Sequence, residues 1–134
     1  MRALSGGVAT DAKSWSSRKI IASNECPGVE FVIARMTFGR RIELMRRVRD
    51  LAARLEYFEA GRDAKNGMEA SLLGAEIDRL YIVWGVEEVR GLELDHGPAT
   101  VEALIDHGPE ELVLEALEAV KAECGLSEQE RKNS

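Results

Sequence analysis

The chain has 134 residues, 45% of them hydrophobic, with seven aromatic side chains in all and a formal net charge of −6. That length is the usual size of one domain and can bury roughly two thirds of its unfolded surface, and so few aromatics require a core of Leu, Val, Ile, Ala and Met. No apolar run approaches the roughly 20 residues that span a bilayer, and the N-terminus lacks the order of a signal peptide, so a cytoplasmic protein with no membrane partner is expected.

The charge is unevenly spread. Residues 1–37 carry five basic and three acidic side chains, residues 38–65 eight and five, and residues 66–134 five and sixteen, for balances of +2, +3 and −11. An acidic half repels nucleic-acid phosphates and offers a face to a basic partner. Cys26 and Cys124 belong to no C-x-x-C pair, so the sequence writes neither a zinc knuckle nor a redox motif, and both are expected as free thiols packed like small apolar residues.

In chain order, residues 1–17 (MRALSGGVATDAKSWSS) have a Gly-Gly pair and no apolar period, and are read as a flexible arm preceding a domain over 18–134. Trp15 within that arm is a candidate docking anchor. Residues 18–37 hold two β-branched or aromatic runs around Pro27-Gly28, which predicts a small β-ribbon with strands at 19–22 and 29–36. Apolar side chains fall on both faces of the second strand, so a cover on each side is expected.

The clearest period follows. Leu44, Val48, Leu51, Leu55 and Phe58 recur at steps of four and three, joined by Met45 and Ala52, and Gly61 supplies a stop. Residues 68–86 repeat the idea with Leu72, Leu73, Glu76, Ile77, Leu80, Tyr81 and Trp84, so residues 40–84 are predicted to form an antiparallel helical hairpin. A short strand is expected at 92–94. Over 99–125, Thr100 is placed to cap a short helix at 101–106, and Pro109 to open a longer one striped by Val113, Leu117, Val120 and Cys124. Gly125 is a C-terminal cap signal, and Ser127 with Glu130 has capping-box spacing. The fold class is therefore mainly α with a small N-terminal β-ribbon (α+β), a helical hairpin followed by short C-terminal helices.

Two features invite a chemical reading. His-Gly-Pro occurs at 96–98 and 107–109, but with Asp95 and Asp106 the stretch offers too few ligands for zinc, and no nucleophile motif accompanies either histidine. Both copies are read as turns that the histidines precede. No metal, cofactor or catalytic residue is assigned. Arg40, Arg41, Arg46, Arg47, Arg49 and Arg54 crowd the first long helix and could suit phosphates. Glu43 can pair with Arg47, and Asp50 with Arg46 or Arg54, which favours a solvated face that also meets the acidic half of the chain. Nucleic-acid binding through Arg40–Arg54 is kept as an alternative to be tested. No phosphate loop, G-x-S-x-G or H-E-x-x-H is present, so an enzyme is not expected.

The stretches ARMTFGRRIEL, EIDRLYIVWGVEEVRGLELD, GPATVEALIDHGPEEL and KAECGLSEQERKN carry a resemblance to the tail assembly chaperones of bacteriophages and prophages, covering about residues 29–133. The resemblance implies a mostly helical, non-enzymatic protein that binds the tape-measure protein and helps the tail-tube protein polymerise around it. It also implies action in the host bacterial cytoplasm, absence from the mature virion, and a short form alongside a frameshift-extended one. A structural tail or connector component retained in the particle is the other class kept open. Trp15, Arg46, Arg47, Glu110, Glu111 and Glu118 are the expected partner-binding residues, together with aliphatic helix faces that would drive homo-oligomer formation when the partner is absent.

Overall fold

The structure is a computed structural model that describes residues 12–61 and 63–125. Of the expected arm, residues 12–17 are described and run without regular structure into the first strand; its remaining residues and the Ser127/Glu130 capping box lie outside the described residues. The elements in order are β1 (Arg18–Ala22), β2 (Glu30–Ala34), α1 (Phe38–Glu59), α2 (Ala64–Gly85), β3 (Val86–Arg90), β4 (Glu93–Leu94), β5 (Gly97–Pro98), α3 (Val101–His107) and α4 (Glu110–Glu123). The α+β class read from the sequence is the observed one: two long helices and two short ones beside a small antiparallel sheet.

α1, α2 and α3 each start where a side chain can satisfy an orphan N–H of the first turn. The Thr37 hydroxyl accepts from Arg40 N, the Asp63 carboxylate from Asn66 N, and the Thr100 hydroxyl from Ala103 N. Pro109 stands one position earlier than expected: it is the N-cap of α4, with ψ 134°, and Glu110 and Glu111 occupy the first turn, where the helix dipole favours acids. Gly125 adopts the left-handed φ of +82° that its cap role needs.

The ribbon gains a third strand that sequence periodicity did not indicate. β2 is central, pairing antiparallel with β1 on one side and β3 on the other. The β2–β3 register shifts between Val32 and Ile33, so Glu87 is an extra residue in β3. This bulge puts both Val86 and Val89 on the core side at a spacing of three, which disguises the period of two. One sheet face carries Phe31, Ile33, Val86 and Val89 into a core with Leu44, Ile82 and Trp84 of the hairpin and Leu104, Leu112, Ala116, Leu117, Val120 and Cys124 of the C-terminal helices. Val32, only 2% exposed, faces the other way.

The first His-Gly-Pro copy differs from expectation, and the second does not. Asp95 and His96 both have positive φ, 51° and 72°, and form the two-residue turn of a β4–β5 hairpin in which Leu94 pairs with Gly97. His96 is thus inside the turn, and Gly97-Pro98 is its return strand. The second copy is a helix end: His107 closes α3 and Gly108 caps it.

Two ion pairs tie β1 to the acidic half and two more lie within that half. Lys19 meets Glu123 at 2.9 Å, Arg18 meets Glu87 at 3.1 Å, Arg79 meets Asp106 at 2.8 Å and Lys121 meets Asp78 at 3.2 Å. The α1 arginines take little part in this. Arg47 pairs with Glu43 within the helix as expected, but Asp50 pairs with Arg49 instead of Arg46 or Arg54, because its side chain is 88% exposed and takes the nearest cation. Arg40 reaches the second half, donating to the Trp84 carbonyl at 2.8 Å.

Candidate partner-binding groove

Each hairpin helix has 22 residues, about 33 Å of helix at 1.5 Å per residue. The main core draws on this hairpin only at its base, through Leu44, Val48, Leu80, Tyr81, Ile82 and Trp84, and takes nothing from between Val48 and Leu80. Beyond that base, α1 and α2 hold each other. Their stripe is correspondingly half-buried at Leu51, Ala52, Leu55 and Phe58, with Leu73 alone fully enclosed.

Along one side of the hairpin runs a groove of about 580 Å³ lined by Val48, Ala52 and Leu55 of α1 and by Ala70, Gly74, Ala75, Ile77 and Tyr81 of α2. It exists because small residues leave a furrow between two backbones: Ala70, Gly74 and Ala75 of α2 line it together with Ala52 of α1. A Cβ built on Gly74 meets nothing within 4 Å. The rim is polar, with Glu59, Ser71, Asp78 and Lys121, and the Lys121 ammonium lies 6.0 Å from the Tyr81 ring centroid as well as on Asp78. Burial, and then the neighbouring Cys124 and Asp78, raise the Tyr81 pKa, so the phenol stays neutral. An apolar trough with a charged rim of both signs suits an amphipathic helix laid along it.

Nearby Cys124 is buried in the core, and burial pushes its thiol up to about 11 against the pull of Arg41. It is therefore a thiol at neutral pH and packs as an apolar group. Among the described residues, no three of His, Cys, Asp and Glu gather where they could hold a metal ion. No described helix is long and apolar enough to cross a membrane.

The charged and aromatic residues singled out from the sequence for partner binding do not line this groove. Trp15, 64% exposed, lines a separate surface depression with Arg18, Ile20, Val32 and Arg90 on the outer sheet face. Arg46 and Arg47 project from α1, Glu110 and Glu111 sit exposed in the first turn of α4, and Glu118 is on that helix's exposed side. Val48, Ala52, Leu55, Ile77 and Tyr81 belong to the stripes read from the sequence, whereas Ala70, Gly74 and Ala75 were missed because a wall of Ala and Gly has no apolar period; the one available signal was the step of four from Ala70 to Gly74.

Comparison with protein-family models, curated proteins and solved structures finds no match to this chain. The groove and the residue chemistry support the binding of a helical partner, and the identity of that partner rests on the resemblance in the sequence.

Met45, Tyr57, Met68 and Leu72, elsewhere on the hairpin surface, are also more than half exposed.

Proposed function

We propose that this protein is a phage tail assembly chaperone whose hairpin groove holds an amphipathic helical segment of the tape-measure protein while the tail-tube protein assembles around it. The observation that carries the reading is the projecting α1–α2 hairpin, which presents an open apolar groove instead of burying it in the core. A client rich in hydrophobic helical seams needs them covered reversibly, and a shallow aliphatic trough with charged edges does that without a deep pocket. On this reading the protein works in the host bacterial cytoplasm and leaves before the virion is complete; mass spectrometry of purified particles checks the latter, since a retained tail or connector component would be found there.

The test uses Gly74→Leu. The position has open space and lies inside a helix, so Leu fills the groove while improving helix propensity by up to about 1 kcal/mol. Coexpressed wild type is expected to keep the tape-measure protein of the same tail module soluble and to co-purify with it, and Gly74→Leu to be at least as stable yet fail to do so. A client equally insoluble with and without folded wild-type protein refutes the chaperone reading. A Gly74→Leu protein that works as well as wild type moves the site elsewhere.

A further inference from the structure

The outer edge of β1 carries a second interaction surface, independent of the client groove. Among the described residues β1 pairs only with β2, so one of its edges is open. Ser17 O accepts from Arg35 N and Ser23 N donates to Val29 O, both at 2.8 Å, which sets the odd-numbered residues toward β2. By the alternation of an antiparallel ladder, the N–H and C=O groups of Arg18, Ile20 and Ala22 point to the open edge. Arg18 N is taken locally by the Ser16 hydroxyl at 3.3 Å. Edge strands are normally blunted by free charge, by proline or by a cover. Here both β1 cations are committed within the chain, Arg18 to Glu87 and Lys19 to Glu123, and Ile20 is 54% exposed.

We propose that β1 pairs antiparallel with β1 of a second copy of this chain, in a register centred on Ile20, to make a continuous six-stranded sheet. What selects a second copy is the complementarity of the outer face when the observed registers are continued through the two-fold. The middle row then reads Glu88, Val32, Ile20, followed by Ile20, Val32, Glu88 of the second copy, an apolar centre with acids only at its ends. The flanking row reads Arg90, Glu30, Ala22, followed by Arg18 and Ala34 of the second copy. The small Ala22 stands opposite Arg18 of the second copy, which keeps its own ion pair with the bulge residue Glu87. No like charges stand opposite each other in either row. The exposed Trp15, which lines the depression over Ile20 and Val32, joins the same apolar strip.

Light scattering after size exclusion, over roughly 10 to 300 µM as suits a small interface, is expected to show a concentration-dependent dimer. Ile20→Lys sets two ammonium groups on the two-fold and is expected to give a monomer with an unchanged circular dichroism spectrum. The register has its own test in a Cys26→Ser background. Residues opposed in a hydrogen-bonded pair lie about 5.5 Å apart at Cα, within disulfide range, so Ile20→Cys is expected to crosslink copies under mild oxidation. Ala22→Cys would lie four residues from its mate, about 14 Å away, and is expected not to. A monomer throughout the range, a dimer that survives Ile20→Lys, or an Ala22→Cys that crosslinks as readily as Ile20→Cys each overturns the proposal. Should Ile20→Lys misfold, the two cysteine variants decide.

Discussion

The Arg40 guanidinium caps the C-terminal end of α2 from another helix: its Nη2 donates to the Trp84 carbonyl at 2.8 Å while its carbon lies 4.4 Å from the Trp84 ring centroid. α2 has no basic residue in its last turn, where a cation would complement the dipole, and α1 has no acid in its first turn, where Arg40 itself is disfavoured. Arg40 therefore supplies the cation that the end of α2 lacks, against an unfavourable place in the first turn of α1, and the Trp84 indole N–H donates to Glu43 at 3.2 Å to close the arrangement.

Arg40→Ala is expected to cost about 2 kcal/mol, combining a charged hydrogen bond with a partly buried cation–π contact. Thermal unfolding followed by circular dichroism should show a midpoint lower by roughly 6–10 °C. Arg40→Lys should recover less than half, because an ammonium cannot stack on the indole and reach the carbonyl in one planar group. A Lys variant as stable as wild type would reduce the contact to simple charge.

Arg40 and Trp84 are 44 positions apart, and nothing in either neighbourhood predicts their meeting; the same holds for much of the site. What sequence made visible was whatever repeats locally: the steps of four and three from Leu44 to Phe58, the caps at Thr100 and Gly125, and the β-branched run in β2. β3 stayed hidden because the bulge at Glu87 spaces its two core residues by three, as in a helix. The β4–β5 turn stayed hidden because positive φ at Asp95 and His96 is paid for by pairing on either side, which a turn signal read as helix entry does not reveal. The groove depends on Ala52 facing Ala70 and Gly74 across two helices, and the outer-face charge rows depend on strand register. Both are properties of pairing between distant segments.

Glu115 anchors the β1–β2 loop to α4. Its carboxylate accepts from the Ser23 hydroxyl at 2.5 Å and from Asn24 N at 2.6 Å, with Glu25 N farther off at 3.4 Å, and the Ser23 hydroxyl in turn accepts from Cys26 N. Removing the carboxylate leaves the hydroxyl of the buried Ser23 without its acceptor and returns the Asn24 and Glu25 N–H groups to water. Glu115→Ala is expected to lose about 2 kcal/mol by urea unfolding, and Glu115→Gln, which keeps one carbonyl acceptor, about half as much. Hydrogen exchange should localise the change to residues 23–28; protection there unaltered by Glu115→Ala would refute the anchoring role.

Glu123 sets part of the acid limb of stability. Burial acts to raise its pKa, but the Lys19 ammonium, the Met36 N–H and the charge of Arg35 together hold it below the ordinary glutamate value. A depressed folded pKa contributes stability that is fully present above the unfolded value, near 4.3, and is lost as pH falls through the folded one. Glu123→Gln should therefore be less stable by on the order of 1 kcal/mol at pH 6, with the two proteins converging by about pH 3. Asp106 is lowered too, by its hydrogen bond to Arg79, but both side chains of that pair are about half exposed and screened by solvent, so Asp106→Asn should leave the profile nearly unchanged. Urea midpoints from pH 3 to 7 for the three proteins test both statements.

Gly85 and Gly67 lie in the same helix and should respond in opposite directions to the same substitution. Gly85 is the last residue of α2, where α4 crosses it, and a Cβ there would stand 2.5 Å from Val120 Cγ1 and 2.7 Å from Cγ2. Val120 is 1% exposed and β-branched, so it has no other rotamer to take without disturbing Leu117 and Cys124 around it. Gly85→Ala is expected to destabilise by about 1–3 kcal/mol through overpacking. At Gly67, in the first turns of α2, a Cβ meets nothing, so Gly67→Ala removes only the helix penalty of glycine and should stabilise by up to about 0.8 kcal/mol. The double variant Gly85→Ala with Val120→Ala separates contact from propensity. If the close approach is the cause, trimming Val120 should make Gly85→Ala nearly neutral in that background; if Gly85→Ala costs the same with Ala at 120, the approach of α4 to α2 is not what requires glycine.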